Sequence, residues 1–98
     1  MRVKQFVGPF IKPEERILNL NLGDAHVVQV GVEFPRKQPW AFFEDDYLYT
    51  PTIDLEINGE EYIITEREIL EWQDLDFADF SIKINQSSPY MIITVAYE

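Results

Sequence analysis

The 98-residue sequence predicts a single all-β domain, an antiparallel β-sandwich or small barrel with six to eight short strands and at most one short helix. Three observations favour this fold class. Apolar and polar residues alternate with a period of two along much of the chain, Gly, Pro and Asn separate the alternating runs, and helical periodicity is scarce. Because a chain of this length holds one hydrophobic core, we expect residues 1–98 to form one domain.

The clearest alternation lies between residues 25 and 34. Side chains on one face of a strand recur at every second position, and this segment keeps that spacing throughout. Gly31 interrupts the opposite face in mid-strand, which indicates a bulge or a close approach of another backbone. One face carries His26, Val28, Val30, Val32 and Phe34, and the other carries Val27, Gln29 and Glu33.

A β-hairpin is predicted over residues 53–65. Asn58 and Gly59 separate two runs rich in strand-forming residues, and this dipeptide supplies the positive φ angles of a type I′ turn. A two-residue loop pairs Leu55 with Tyr62 and Ile53 with Ile64 on one face. The acidic side chains on the opposite face are Asp54, Glu56 and Glu61.

Further strands follow from shorter alternating runs. Residues 80–85 and 91–97 are predicted to form a second hairpin joined by residues 86–90. Residues 2–7 and 17–22 each predict one more strand.

Residues 65–72 fit two structures. Thr65 and Glu68 have the spacing of a capping box, which predicts a short helix running to Trp72. Leu70 and Trp72 also alternate as in a strand.

The net charge of −10 is unevenly distributed along the chain. Residues 1–40 hold six basic and four acidic side chains, whereas residues 41–98 hold two basic and fourteen acidic ones. A protein this acidic with dispersed bases does not displace phosphate counterions, so we expect no nucleic-acid partner. The asymmetry fits either a solvated acidic face or a surface that docks to a partner of opposite charge, including a second copy. A small acidic fold that imitates DNA and inhibits a host protein is an alternative.

The sequence contains no cysteine, so disulfides and thiolate chemistry are excluded. We find no signal-peptide pattern and no apolar run as long as a membrane span. The expected locations are therefore the cytoplasm or a virion, with no membrane partner.

We expect no catalytic residue, no cofactor and no metal site. His26 is the one histidine, and its phase with Val28 favours a hydrogen-bonded or edge residue over the base of a catalytic triad. Acidic residues cluster at 44–46 and 74–79, where carboxylates could bind Ca²⁺. The second cluster lacks the glycine and distal glutamate of an EF-hand loop, and solvated turns are the simpler interpretation of both.

Residues 35–51 are the longest irregular stretch, with three prolines and five aromatic residues. Aromatic side chains beside acids can stack on sugar rings or anchor in a pocket of a protein partner. The alternative is that these rings cap one end of the sandwich. The candidate interaction residues are Trp40, Asp45, Asp46, Tyr47 and Tyr49.

The last predicted strand is apolar on both faces, with Met91 and Ile93 on one and Ile92 and Ala96 on the other. Such a strand is either central in a sheet or covered by a neighbouring molecule. Terminal strands with free edges also invite strand addition by another chain. Assembly with other protein subunits, or with further copies, is the resulting hypothesis.

The part of the chain from Ile53 to Glu98 resembles short virion proteins of tailed bacteriophages. The resemblance rests on three segments: residues 57–59 (Ile-Asn-Gly), residues 69–71 (Ile-Leu-Glu) and the closing strand at residues 90–98. It implies a β-sandwich that packs into a capsid or tail by protein–protein contact. We therefore expect a non-catalytic structural module, with a carbohydrate- or receptor-binding module as the alternative and an acidic inhibitor as a second one.

Overall fold

The computed structural model describes residues 1–34, 52–85 and 91–98. Within these ranges eight strands form two four-stranded antiparallel sheets, so the predicted all-β sandwich is confirmed. A four-residue 3₁₀ turn precedes the second strand, and in the described ranges no helix is long and apolar enough to cross a bilayer. The strands are β1 Arg2–Val7, β2 Ile17–Leu20, β3 Val27–Glu33, β4 Thr52–Ile57, β5 Glu60–Thr65, β6 Ile69–Gln73, β7 Phe80–Ile84 and β8 Ile92–Tyr97.

The strand order is β1-β8-β3-β6 in sheet 1 and β2-β7-β4-β5 in sheet 2. The antiparallel pairs join β1 with β8, β2 with β7, β3 with β6, and β4 with β5. The chain therefore has the pairing of one long hairpin with its turn between β4 and β5. Successive strand pairs of this hairpin alternate between the sheets, with β1/β8 and β3/β6 in sheet 1 and β2/β7 and β4/β5 in sheet 2. This is the order of an eight-stranded jelly roll.

The turn between β4 and β5 determines the register of these two strands and attaches them to β7. Asn58 has a φ of 51° and Gly59 a φ of 86°, and Leu55 pairs with Tyr62 as the sequence predicts. Asn58 also donates its N–H to the carbonyl of Ser81 at 3.1 Å and accepts the Ser81 N–H on Oδ1 at 2.9 Å. The tip of the long hairpin is thereby attached to β7, the other neighbour of β4.

Replacing Gly59 with alanine is expected to destabilise the fold by about 1–2 kcal/mol, because an L-residue is strained at this positive φ. A Cβ at this position meets no atom within 4 Å, so the loss is conformational rather than steric. Gly59→Asn should cost less, since asparagine tolerates the left-handed region better. Urea unfolding of both variants measures the difference, and equal destabilisation by both would contradict this account.

The core lies between the two sheets and follows the predicted alternation. In β3, Val28, Val30 and Val32 are buried, and they belong to one core cluster with the buried residues of sheet 2. Leu70 and Trp72 complete the inner face on β6 and are half-buried. The residues of sheet 2 with at most 1% of their surface exposed are Ile53, Leu55, Ile57, Ile64, Phe80, Ile82 and Ile84.

The predicted hairpin between residues 80–85 and 91–97 is wrong. Both strands exist, but β7 lies in sheet 2 between β2 and β4, and β8 lies in sheet 1 between β1 and β3. Alternation predicts a strand without specifying its partner. The central place of β8 accounts for its two apolar faces.

The predicted short helix after Thr65 is also wrong, and the strand alternative is confirmed. Glu68 does reach back, accepting the Thr65 N–H on Oε1 at 3.3 Å, while the Glu68 N–H donates to the Thr65 carbonyl at 3.1 Å. These reciprocal bonds close a tight turn rather than begin a helix. The chain then extends because Leu70 and Trp72 pair with Val30 and Val28 and bury one side against the core.

Candidate interaction surface

The predicted interaction residues of the long loop, Trp40, Asp45, Asp46, Tyr47 and Tyr49, lie outside the described residues. Their role therefore stays a prediction. The surfaces described below belong to the two sheets and their edges.

His26 lies just before β3 with an exposed side chain. Its backbone joins two segments, since its N–H donates to the Glu98 carbonyl at 2.6 Å and its carbonyl accepts the Asp74 N–H at 3.0 Å. Asp76 accepts the Ala78 N–H on Oδ1 at 3.0 Å within the turn that precedes β7. Among the residues that the structure describes, no group of three or more His, Asp or Glu side chains could hold a metal ion.

The outer face of sheet 1 is a broad surface with small and uncharged residues at its centre. Alternate residues of the four strands point away from the core, and the register aligns them in rows across the sheet. The central rows run from Gln5 through Thr94 and Gly31 to Ile69, and from Val3 through Ala96 and Gln29 to Glu71.

An open depression of about 220 Å³ lies on this face above Gly31. Of the two predicted explanations for Gly31, the bulge is wrong, because the pairing of β3 with β8 continues through Gly31 and the pairing with β6 reaches it with no change of register. Because Gly31 has no side chain, the outer face of sheet 1 is recessed at this position. Three carboxylates, those of Glu33, Glu66 and Glu68, lie among the residues around it. The Glu66 carboxylate accepts the Phe34 N–H at 3.2 Å, which attaches the turn before β6 to the end of β3.

Exposed aliphatic side chains are concentrated on the outer strands of the two sheets. All four outer strands carry at least one such residue on the face that points away from the core. Apolar side chains at these places are open to strand addition, because the backbone groups of an outer strand have a free side. The residues are Val3 and Val7 on β1, Ile69 on β6, Ile17 on β2 and Ile63 on β5, each at least half exposed.

The two edges of sheet 1 differ in charge. On β1, the Arg2 guanidinium lies 4.6 Å and the Lys4 ammonium 5.9 Å from the ring centroid of Tyr97, as cation–π contacts. On β6, Glu71 accepts hydrogen bonds from the amides of Gln29 at 2.7 Å and Gln73 at 3.0 Å. One edge is therefore basic and the other acidic.

Aromatic rings close the side of the sandwich between β5 and β6. Tyr62 meets Trp72 edge-on at 5.9 Å, and Trp72 meets Phe80 in the same way at 5.5 Å. The Tyr62 hydroxyl donates to Glu60 Oε2 at 2.9 Å. This hydrogen bond, then burial and the charge of Glu60, raise the pKa of Tyr62 above its ordinary value of 10.0, against a smaller opposing effect of Trp72.

The raised pKa of Tyr62 predicts a loss of stability at alkaline pH. The folded state holds the phenol proton to higher pH than the unfolded state, so the contribution is complete below about pH 10 and is lost as pH rises through the folded pKa. Tyr62→Phe should remove this part of the pH dependence. Unfolding free energies measured from about pH 9 to pH 11 test it, with tyrosinate absorbance as the titration signal. An unchanged alkaline slope in Tyr62→Phe would contradict the assignment.

Comparisons of the chain with protein-family models, with curated proteins and with solved structures found no match.

Sequence reasoning missed the outward-facing aliphatic residues of the outer strands. The signal for them is present, because Ile63 and Ile69 are out of phase with the core-facing positions Ile64 and Leu70. A large apolar residue on the polar phase of a strand indicates either a second buried face or a contact surface. Choosing between these requires the strand order, which local pattern does not give.

Proposed function

We propose that this protein is a non-catalytic structural module that works by protein–protein contact, as a repeated component of a larger assembly such as the tail or capsid of a phage particle. The observation that carries the proposal is the set of exposed aliphatic residues on the outer strands, each of which has one side that no other described strand pairs with. A monomer gains nothing from these residues in water. A subunit with neighbours buries them.

The strand order supports the same proposal by analogy of fold. Jelly rolls of eight strands occur in viral capsid proteins and also in lectin domains. Because a fold hosts many functions, this analogy raises the expectation without assigning a role to any residue.

The uneven charge supports contact with an oriented partner. The basic side chains Arg2 and Lys4 lie on one outer strand of sheet 1, and Glu71 lies on the other. Complementary charges of this kind speed association and select the orientation in which subunits meet.

The purified full chain tests the proposal by sedimentation velocity and electron microscopy over a wide concentration range. A defined oligomer, ring or filament is the expected result. A chain that stays monomeric and shifts its tryptophan emission on titration with oligosaccharides would contradict assembly and favour the carbohydrate-binding alternative. Salt-sensitive binding of the monomer to a basic DNA-binding protein would contradict it in favour of the acidic inhibitor.

A further inference from the structure

We propose that sheet 1 continues from one copy of this chain into the next, with β1 of one copy pairing antiparallel with β6 of its neighbour. The inference rests on the proposed function and names the partner as a second copy and the contact as these two strands. Four independent features of the strands agree with it: their direction, their hydrogen-bonding phase, their side chains and their charge.

The strand directions allow the contact without inverting the neighbour. In the order β1-β8-β3-β6 every adjacent pair is antiparallel, so β1 and β6 run in opposite directions. A second copy placed beside the first, and rotated only as the twist of the sheet requires, therefore brings its β1 antiparallel to β6 of the first. The result is one continuous antiparallel sheet.

The free backbone groups of the two strands are in phase. Gly8 donates its N–H to the Met91 carbonyl, so the backbone N–H and C=O groups of the even-numbered residues of β1 bond to β8. The backbone groups of the odd-numbered residues point away from β8, toward the open edge of the sheet. Asp74 donates its N–H to the His26 carbonyl, so the backbone groups of the even-numbered residues of β6 bond to β3. Those of the odd-numbered residues point toward the open edge on that side of the sheet. Among the residues that the structure describes, no strand pairs with the backbone groups of Val3, Gln5 and Val7 on β1 or of Ile69, Glu71 and Gln73 on β6.

One register also matches the outward side chains. Placing Gln5 opposite Glu71 of the neighbour allows the same amide-to-carboxylate hydrogen bond that Gln29 makes with Glu71 inside one copy, at 2.7 Å. The same register places Val7 opposite Ile69, and both are more than half exposed in the single copy. Cross-strand pairs of these kinds stabilise antiparallel sheets.

The core-facing side chains match in the same register. Arg2 comes opposite Asp74 of the neighbour, which is an ion pair, and Lys4 comes opposite Trp72, which is a cation–π contact. Phe6 comes opposite Leu70, and both are half-buried in the single copy. Arg2 and Lys4 on the inner side of an outer strand discourage pairing with apolar strands, whereas β6 supplies partners for both charges.

Charge opposes pairing of like edges. Two β6 strands would bring two Glu71 side chains together, and two β1 strands would bring Arg2 and Lys4 of both copies to one face. The favoured contact joins unlike edges, so each copy keeps one free β1 and one free β6 for the next. Such a contact closes into a ring or extends into a filament rather than stopping at a dimer.

Charge substitution at the Gln5–Glu71 pair tests the contact in solution. Gln5→Glu places two carboxylates opposite each other and should raise the concentration at half assembly about fivefold. Adding Glu71→Gln to the same chain restores an amide opposite a carboxylate and should bring assembly back near the starting concentration. Asn19→Asp adds the same single negative charge to the exposed face of β2 in sheet 2. It is the control and should leave assembly unchanged. No effect of Gln5→Glu, or no recovery in the double variant, would overturn the proposal.

Proline substitution tests whether unlike edges meet. Gln5→Pro and Glu71→Pro each remove an outward N–H that none of the eight described strands of the same copy uses. Each variant alone should be monomeric, and a mixture should form a one-to-one dimer that grows no further. A homodimer of Glu71→Pro alone would show β1 pairing with β1 and overturn the proposal. Circular dichroism checks folding, and if a proline variant unfolds, the charge series decides.

These results separate the contact from the proposed function. If the protein assembles but ignores changes at Gln5 and Glu71, the contact is wrong and the structural role stands. If the chain stays monomeric at every concentration, both fail.

Discussion

Phe80→Ala is expected to destabilise the protein by about 3–5 kcal/mol, a large fraction of the roughly 5–15 kcal/mol that stabilises a typical domain. Phe80 is fully buried at the start of β7. Its ring meets Trp72 at 5.5 Å and Phe77 at 6.0 Å, so it joins sheet 2 to sheet 1 and to the turn before β7. Truncation removes these contacts and leaves a cavity where the sheets meet.

Urea unfolding followed by circular dichroism measures the loss. Ile63→Ala is the matched control, because Ile63 is 71% exposed on β5 and its truncation should change the unfolding free energy by less than about 0.5 kcal/mol. Phe80→Leu should fall between the two, since leucine fills part of the space. If Phe80→Ala costs no more than Ile63→Ala, the aromatic contacts between the sheets do not hold the sandwich together.

The parts of the fold that the sequence predicts are those decided within a few residues. Asn58 and Gly59 determine the turn, and the turn determines the pairing of Leu55 with Tyr62, so both are confirmed. The alternation of Val28, Val30 and Val32 likewise predicts which face is buried.

The parts of the fold that the sequence does not predict are determined by contacts between residues that are far apart in the sequence. Residues 80–85 and 91–97 alternate as well as any hairpin, yet β7 and β8 lie in different sheets. The bonds of Asn58 with Ser81 attach β7 to β4, and nothing local to residues 80–97 indicates them. At Thr65 and Glu68 one hydrogen bond of a capping box forms, from the Thr65 N–H to the Glu68 carboxylate, but the Glu68 N–H donates to the Thr65 carbonyl and not to its side chain. The pairing of Trp72 with Val28 then decides for a strand.

The candidate interaction surface is also predicted only in part by the sequence. The sequence predicts a β protein with uneven charge, from which assembly is a hypothesis. The strand order shows that the exposed aliphatic residues and the opposite charges lie on outer strands. Val3 and Val7 alternate with Gln5 in the sequence, which alone does not say whether that face is covered. Because β1 is an outer strand of sheet 1, the outward face that carries Val3 and Val7 becomes a candidate surface for contact with another protein.

Gly8→Ala is expected to destabilise the protein by about 1–3 kcal/mol through overpacking. A Cβ on Gly8 would lie 2.8 and 2.9 Å from two ring carbons of Phe10 and 3.2 Å from its backbone nitrogen. Phe10 is 6% exposed and part of the core, so its ring has little room to move aside. Gly8 is also held in place, since its N–H donates to the Met91 carbonyl at 2.8 Å.

Gly31→Ala provides the matched comparison, because the chemical change and the loss of unfolded-state entropy are the same. A Cβ on Gly31 meets its nearest atoms, on Glu68 and Ile69, at 3.9 Å, which is ordinary contact. This substitution should therefore stabilise the protein by about 0.4–1 kcal/mol. The difference between the two unfolding free energies isolates the clash with Phe10. If the two variants shift equally, the Phe10 ring adapts and the packing of residues 8–10 does not constrain the end of β1.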